Sequence, residues 1–137
     1  MTVVVDTSAL LAYFDRGSER HAAVEALVDA EREPLAVNPL VLAEVDHLVR
    51  RRFGERAADG VLREIAGGAY DIAAFGHDDL RAALAVLTRY PDRRLGLTDA
   101  SLLALAERVG ATTVFTLDRR DFDGLARGDG TPLTILP

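Results

Sequence analysis

Hydrophobic positions along this chain alternate between short β-branched runs and longer stretches with helical spacing. Each short run ends at a polar or turn-forming residue, which is typical of buried strands. Strands are predicted at Thr2–Val5, Leu35–Val37, Tyr70–Ala74 and Thr112–Thr116, with Leu133–Leu136 as a candidate fifth. Helices are predicted at Thr7–Phe14, Glu19–Ala30, Pro39–Arg52, Asp78–Tyr90 and Thr98–Val109, and a further helix is predicted after Gly54, ending at Gly67-Gly68. Asn38 and Thr98 are the predicted N-caps of their helices, since both side chains can accept a hydrogen bond from the first turn.

This alternation of strands and helices predicts an α/β fold. Strands joined through helices form a mostly parallel sheet, and the helices then cover both of its faces. The chain has 137 residues, without an internal repeat, a low-complexity segment or a linker. It is therefore predicted to form one domain over residues 1–137.

Composition excludes several classes of site. The chain has no Cys, which excludes a disulfide framework, a thiolate metal site and a cysteine nucleophile. All sixteen basic residues are Arg, so a phosphate-binding loop that needs Lys is absent. No stretch approaches the ~20 apolar residues of a membrane span, and the first residues lack the features of a signal peptide. A cytoplasmic protein that does not enter a membrane is expected.

Three acidic residues fall where ligands bind in open α/β sheets, at the carboxyl ends of strands. Asp6 directly follows the run of three valines, and Asp118 lies two residues beyond the TTVFT strand. Asp99 lies in the first turn of a predicted helix. Each residue taken alone has a simpler explanation: a helix cap for Asp6, dipole compensation for Asp99 and a turn for Asp118. Their shared placement favours a common site.

A fourth acid, Glu44, lies inside a predicted helix. At about 100° per residue, Val41, Val45 and Leu48 form the buried stripe of this helix, with Glu44 at its edge. Glu44 is therefore predicted to point partly inward, although a surface residue paired with Arg51 is an alternative.

Convergent carboxylates would repel one another unless a cation neutralises them. Oxygen ligands without Cys or His select a hard ion, Mg²⁺ or Mn²⁺. An ion held by few carboxylates can bind phosphate oxygens and activate a water molecule.

Four segments of the chain, in this order and spacing, resemble the acidic motifs of PIN-domain ribonucleases, and most of all those of VapC-like toxins from bacterial toxin–antitoxin pairs. The segments are VVVDTSALLAYFD, LAEVDHLV, LTDASLLALAERVGA and TLDRRDF. The resemblance spans nearly the whole chain. It implies a PIN-like three-layer α/β/α architecture around the central sheet.

The resemblance also implies the roles of individual residues. Asp6, Glu44, Asp99 and Asp118 would be the catalytic, metal-binding carboxylates. Thr7, Ser8, Thr98 and Asp121 would support them, the hydroxyl of Thr7 or Ser8 through the metal or its waters. Asp121 is a departure from the motif, since a second acid three residues after Asp118 leaves open which of the two faces the metal. Asp118 is favoured because it lies closer to the strand end.

The same resemblance implies an activity and partners. Members of the family hydrolyse RNA phosphodiester bonds with Mg²⁺ or Mn²⁺ and leave a 5′-phosphate. They form homodimers, and a small VapB-like antitoxin that reaches into the acidic pocket inhibits them.

Arginines close to the acids are candidate RNA contacts. Arg119 and Arg120 follow Asp118 directly, and Arg93 and Arg94 precede the Asp99 helix. Guanidinium groups in these positions could hold phosphates, although the formal net charge of −6 gives no general affinity for nucleic acid. A solvated surface is the alternative for each pair.

Three other functions fit the sequence less well than a nuclease does. The ExxH sequence at Glu44–His47 occurs in di-iron bundles, but those need two such motifs on four helices. A phosphoacceptor receiver needs a Lys and a serine hydrolase needs a G-x-S-x-G turn, and both are missing. A catalytically inert PIN-like binding module remains the alternative, and carboxylate-dependent Mn²⁺ binding would distinguish it from an enzyme.

Overall fold

The computed structural model describes residues 2–137 and contains five strands and seven helices within that range. The strands are β1 (Val3–Val5), β2 (Leu35–Val37), β3 (Tyr70–Ile72), β4 (Thr113–Phe115) and β5 (Thr134–Leu136). The helices are α1 (Thr7–Phe14), α2 (His21–Ala30), α3 (Pro39–Phe53), α4 (Glu55–Glu64), α5 (His77–Arg89), α6 (Leu97–Val109) and α7 (Arg119–Phe122). A π-helical turn (Ile65–Ala69) follows α4, and a 3₁₀ turn (Pro91–Arg93) follows α5.

The five strands form one sheet in the order β3-β2-β1-β4-β5, and every neighbouring pair is parallel. β1 is central, with Val4 aligned to Ala36 on one side and to Val114 on the other. The carboxyl ends of all strands therefore meet at one edge of the sheet, which confirms the predicted α/β class. The candidate strand near the C-terminus is also confirmed, since β5 pairs with β4.

The central strands are buried on both faces. All residues of β1, β2 and β4 are buried, and a parallel strand in this state needs helices above and below it. α6 supplies much of this cover, since its residues from Ala100 to Ala106 are buried. The helices thus form the two outer layers around the sheet.

The predicted cap of α6 is wrong by two residues. The helix begins at Leu97, and its N-cap is Gly96 in an extended conformation rather than Thr98. Glycine needs no side-chain bond to occupy this position. The shift makes Asp99 the third helical residue, from which a side chain can reach back to the N-cap backbone.

The predicted buried stripe of α3 is also wrong in one member. Val41, Val45 and Val49 are buried, whereas Leu48 is only partly covered. With Val49 as the third member, the centre of the stripe lies roughly 100° from Glu44 at about 100° per residue. Glu44 is accordingly exposed rather than turned inward.

Within residues 2–137, every helix is too short or too polar to cross a lipid bilayer.

Candidate active site

Asp6 lies at the carboxyl end of the central strand and is 3 % exposed. It occupies the N-cap position of α1, but its carboxylate makes no capping hydrogen bond to the helix. Instead, Thr116 Oγ1 donates to Asp6 Oδ2 at 2.8 Å, and Ser8 Oγ donates to the same oxygen at 3.2 Å. Both side-chain hydrogen bonds end on Oδ2, and Oδ1 has no side-chain donor among residues 2–137.

The two hydroxyl groups that hold Asp6 also fix the loop after β4. Ser8 Oγ accepts a hydrogen bond from the backbone N–H of Leu117 at 2.9 Å, and Thr116 Oγ1 accepts one from Asp118 at 3.0 Å. The sequence motifs did not identify Thr116 as a site residue. The feature that could have indicated it is a hydroxyl side chain at a strand end, two positions before a candidate acid. The ends of β1 and β4 are thus joined through side chains as well as through the sheet.

Asp99 is half-buried in the first turn of α6, beside other acids. Burial is the largest cause that raises its pKa, which lies at about 6. The charges of Asp6, Asp121 and Asp118 raise the pKa further, while a hydrogen bond from the Gly96 backbone acts in the opposite direction. Because the charges of these acids act on Asp99, the three elements that carry them come together at the sheet edge.

Asp118 is coupled to each of the other acids. Burial raises its pKa first, followed by the charges of Asp121 and Glu44. The charge of Asp118 in turn contributes to the raised pKa values of Asp6 and Asp99. For Asp6 itself, burial is the largest cause, and the hydroxyl of Thr116 and the Thr7 backbone oppose it. Glu44 is therefore exposed but close enough to Asp118 to act on it.

A buried polar link joins the helix that carries Glu44 to the helix that carries Asp99. Asn38 Oδ1 accepts from the N–H of Val41 at 2.9 Å, which confirms the predicted cap of α3. Asn38 Nδ2 donates to Ser101 Oγ at 2.8 Å, and Ser101 Oγ donates to the carbonyl oxygen of Thr98 at 2.7 Å. The cap could be predicted from sequence, but its partner on α6 depends on tertiary packing.

The two candidate hydroxyls behind Asp6 differ in their surroundings. Ser8 belongs to the network around Asp6, whereas Thr7 Oγ1 is buried without a hydrogen-bond partner in residues 2–137. A buried hydroxyl without a partner is unusual and is often found where a water or ion completes the bonding.

The candidate arginines divide into two pairs. Arg93 and Arg119 donate to backbone carbonyl oxygens: Arg93 to the turn after β4, and Arg119 to Ile135 at 3.1 Å and Pro137 at 2.9 Å. Arg94 and Arg120 are exposed, as is Arg119 despite its two hydrogen bonds, whereas Arg93 is half-buried. Whether any of the four binds RNA remains a prediction.

The acids at the sheet edge carry negative charge that the described protein does not neutralise. Within residues 2–137, no basic side chain forms an ion pair with Asp6, Glu44, Asp99, Asp118 or Asp121. Nor is any group of three or more acidic or histidine side chains in that range already arranged to hold a metal ion. Mg²⁺ needs only one or two carboxylates and keeps several waters, so these oxygen donors fit such an ion without a closed cage.

Loss of the Thr116 hydroxyl is expected to impair the site more than the fold. In Thr116→Val, Asp6 Oδ2 loses its shorter donor, and the Asp118 N–H loses its acceptor. Partners behind a metal ligand typically contribute 10–100-fold to affinity or activity, so we expect a loss of about that size. Thr116→Ser, which keeps the hydroxyl, is the matched control. Equal Mn²⁺ affinity and cleavage rate in the two variants would contradict a role for the hydroxyl.

A five-stranded parallel sheet with coupled acids at its carboxyl edge defines an α/β protein with an acidic, ion-accepting centre. Comparison with known protein families identifies this class: the family model of the PIN domain matches residues 3–128. The chain is also 44% identical over 135 residues to Ribonuclease VapC26 of Mycobacterium tuberculosis, covering 98% of this chain and 100% of that protein. The chain therefore belongs to the PIN-domain family, which confirms the resemblance found in its sequence motifs.

Solved structures share the same fold. VapC20 of Mycobacterium tuberculosis, described as a sarcin-ricin loop cleaving toxin, superposes with a TM-score of 0.81 at 24% identity, covering 90% of this chain and 96% of that one. The Rickettsia felis VapBC2 structure, bound to a DNA fragment from its promoter, gives a TM-score of 0.73 at 16% identity over the full length of both chains. Identities this low establish the three-layer fold alone.

Proposed function

We propose that this protein is a metal-dependent endoribonuclease of the toxin type, which cleaves RNA phosphodiester bonds and is inhibited by a cognate antitoxin. The observation that carries the proposal is the cluster of acids at the carboxyl edge of the sheet, which has no basic partner among the described residues. The raised pKa of Asp99, about 6, is consistent with it. Such a cluster is costly to the fold and is explained by an ion that it binds. The 44% identity to Ribonuclease VapC26 supports RNA as the substrate class.

Asp6, Asp99 and Asp118 are the proposed main ligands of Mg²⁺ or Mn²⁺, with Glu44 as a fourth carboxylate and Asp121 in support. A bound ion of this kind supplies positive charge that stabilises the phosphoryl oxygens and lowers the pKa of a nearby water. Asp118 is preferred over Asp121 because it is coupled to all of the other acids. The hydroxyls of Ser8 and Thr116 hold Asp6 in one orientation, while the unpartnered hydroxyl of Thr7 lies next to it in the chain.

The side chains themselves then perform three tasks. Asp6 and Asp99 would bind the ion and orient it, since the sheet and the α6 N-terminus fix their positions. Glu44 is exposed beside Asp118 and can accept a proton from the attacking water. Water would attack phosphorus, the bond from phosphorus to the 3′ oxygen would break, and that oxygen would leave as a 3′-hydroxyl after it takes a proton from solvent. The other product carries a 5′-phosphate, as the family resemblance implies.

Phosphate contacts are assigned first to Arg94 and Arg120. Both side chains are exposed, and both lie next to segments that carry the acids. Arg93 and Arg119 already donate from their guanidinium groups to backbone carbonyls. Only their remaining N–H groups could therefore bind a phosphate.

An antitoxin of the VapB type is the proposed protein partner. A cavity of about 780 Å³ opens beside Ser8 and Leu117, and its lining includes Leu11, Phe14 and Phe53. An apolar segment could occupy this cavity and direct an arginine towards the unpaired acids next to it. Homodimer formation is proposed on the family resemblance alone.

Mapping of new RNA 5′ ends tests the proposed function. Total bacterial RNA would be incubated with the protein and Mn²⁺, with EDTA and the Asp99→Asn variant as controls. Discrete new 5′-phosphate ends that disappear in both controls would support the proposal and identify the target. A folded, inhibitor-free protein that neither cuts RNA nor binds Mn²⁺ through its carboxylates would instead support an inert PIN-like module.

Asp118 and Asp121 form a natural matched pair for a second test. We expect Asp118→Asn to weaken Mn²⁺ binding by about 10–100-fold, because it removes the acid coupled to all the others. Asp121→Asn should weaken Mn²⁺ binding by only a few-fold, because Asp121 would affect the ion only through its charge on Asp99 and Asp118. Isothermal titration calorimetry with Mn²⁺ measures both. The reverse order of the two losses would make Asp121 the ligand.

A further inference from the structure

Arg93 makes an unusual set of contacts with the segment that carries Asp118 and Asp121. Its Nη2 lies 3.0 Å from the carbonyl oxygen of Arg120, 3.0 Å from that of Asp121 and 2.7 Å from that of Asp123. These carbonyls belong to the C-terminal end of α7, where a helix has no backbone donors of its own to offer. A cation at this end also compensates the partial negative charge of the helix terminus.

The backbone of the 118–123 segment depends on Arg93 for half of its acceptors. The other three carbonyl oxygens have backbone partners: Asp118 accepts from Asp121, Arg119 from Asp123, and Phe122 from Leu125. Every carbonyl from 118 to 123 therefore has a donor, and among the described residues Arg93 is the donor to the remaining three, which share the two N–H groups of its Nη2. Removal of the guanidinium would leave three neighbouring acceptors to find water or rearrange.

Arg93 also connects two segments that bring acids to the site. Its backbone belongs to the 3₁₀ turn that leads through Gly96 into α6, where Asp99 is the third residue. Its side chain reaches across to the turn between β4 and β5. The guanidinium also lies beside Gly124, which has φ +83°: a Cβ at that position would be in ordinary van der Waals contact with Arg93 Nη1, at 3.6 Å.

We propose that Arg93 is a positioning residue for the carboxylate centre, because its guanidinium holds the turn of Asp118 and Asp121 against the segment that leads into Asp99. The inference rests on the proposed function, which gives these acids a shared ion to bind. The guanidinium acts on backbone carbonyls, and in residues 2–137 it forms no ion pair with the acids. It therefore fixes their spacing without competing for the ion. All three carbonyls surround one nitrogen, Nη2, at the end of the planar guanidinium. A Lys ammonium keeps the charge and several N–H donors but places them differently, so Arg93→Lys tests how far the contact depends on the guanidinium geometry.

A direct contact with RNA phosphate is the competing role, and it predicts a different pattern. A phosphate contact contributes to RNA affinity and to its salt dependence, with little effect on ion binding in the absence of RNA. A positioning role affects ion binding without RNA present, and leaves the salt dependence of RNA binding unchanged.

The test compares Arg93→Ala and Arg93→Lys with Arg127→Ala in the full chain. Arg127 is a matched control because its guanidinium also donates to a backbone carbonyl, that of Ala111, at the opposite, amino end of β4. For each protein we would measure thermal stability, Mn²⁺ affinity by calorimetry, and RNA affinity at several salt concentrations. Hydrogen exchange of the amides in 118–123 would report on the turn itself.

We expect Arg93→Ala to accelerate exchange in 118–123 and to weaken Mn²⁺ binding by about tenfold relative to Arg127→Ala, with Arg93→Lys between wild type and Arg93→Ala. The salt slope of RNA binding should not change. Unchanged Mn²⁺ affinity in Arg93→Ala, or a loss no larger than in Arg127→Ala, would overturn the positioning role; Arg93→Lys decides in the same way if Arg93→Ala does not fold. A wild-type protein that neither binds Mn²⁺ nor cuts RNA would contradict the proposed function itself, and the inference with it.

Discussion

Asp99→Asn is expected to reduce RNA cleavage by about 10³-fold while the fold remains intact, because one preorganised electrostatic group at a reacting phosphate contributes about that much. Asp99 is the acid with the greatest number of acidic neighbours that raise its pKa: Asp6, Asp121 and Asp118. An amide of the same shape keeps the packing at the start of α6 but removes the charge that an ion requires. Initial rates on a defined RNA, at saturating Mn²⁺, measure the loss.

Asp78→Asn is the matched control for this variant. Asp78 lies in the first turn of α5 as Asp99 lies in the first turn of α6, but it is 97% exposed and forms an ion pair with Arg81. Its substitution should leave the cleavage rate within about twofold of wild type, as is usual for exposed surface positions. Full activity in Asp99→Asn, with contaminating nuclease excluded, would contradict the assignment of the site.

The fold was predictable because its strands carry strong local signals. Three consecutive valines ending at an acid, and a β-branched run ending at Thr116, both gave strands close to those observed. Parallel pairing then follows from the helices between the strands, and with it the convergence of Asp6 and Asp118 at one edge. The strongest features of the site are thus consequences of strand order rather than of any single motif.

The parts that could not be predicted depend on choices that sequence pattern leaves open. Leu48 and Val49 are both apolar, and only packing decides that Val49 completes the buried stripe and so turns Glu44 outward. Either Gly96 or Thr98 could begin α6, and α7 has only four residues, too few for a helical period to appear. The contacts of Thr116 and Arg93 cross long stretches of sequence, so only the folded chain reveals them.

The burial of Asp99, together with the repulsion from its acidic neighbours, should make the metal-free fold weaker as pH rises. Its folded pKa, about 6, lies above the ordinary aspartate value of 3.8, so the native state holds this proton more tightly than the unfolded chain does. The free energy of unfolding therefore falls as pH rises from about 4 through about 6, the reverse of a salt-bridged carboxyl. Because Asp99 is partly exposed, solvent screening reduces the effect to about 1–2 kcal/mol.

Mn²⁺ affinity should rise with pH, whereas the stability of the metal-free fold falls. The change in affinity should be the larger of the two effects. Binding requires ionised carboxylates, so affinity should rise about tenfold per pH unit below pH 6 for one displaced proton, and level off above it. The raised pKa of Asp6, which is due first to burial, should steepen this dependence. Calorimetric titration with Mn²⁺ between pH 5 and 8 measures how affinity changes with pH. The change in slope should fall near the pKa of Asp99, about 6.

Asp99→Asn connects the two effects in one variant. In the metal-free state at pH 8 it should be more stable than wild type, because the repelled charge is gone, whereas near pH 4 the two proteins should unfold alike. Added Mn²⁺ should then raise the melting temperature of wild type at pH 8 but not that of the variant. A variant that is less stable than wild type at pH 8 without metal would mean that Asp99 serves the fold, and that the acids are not held together for an ion.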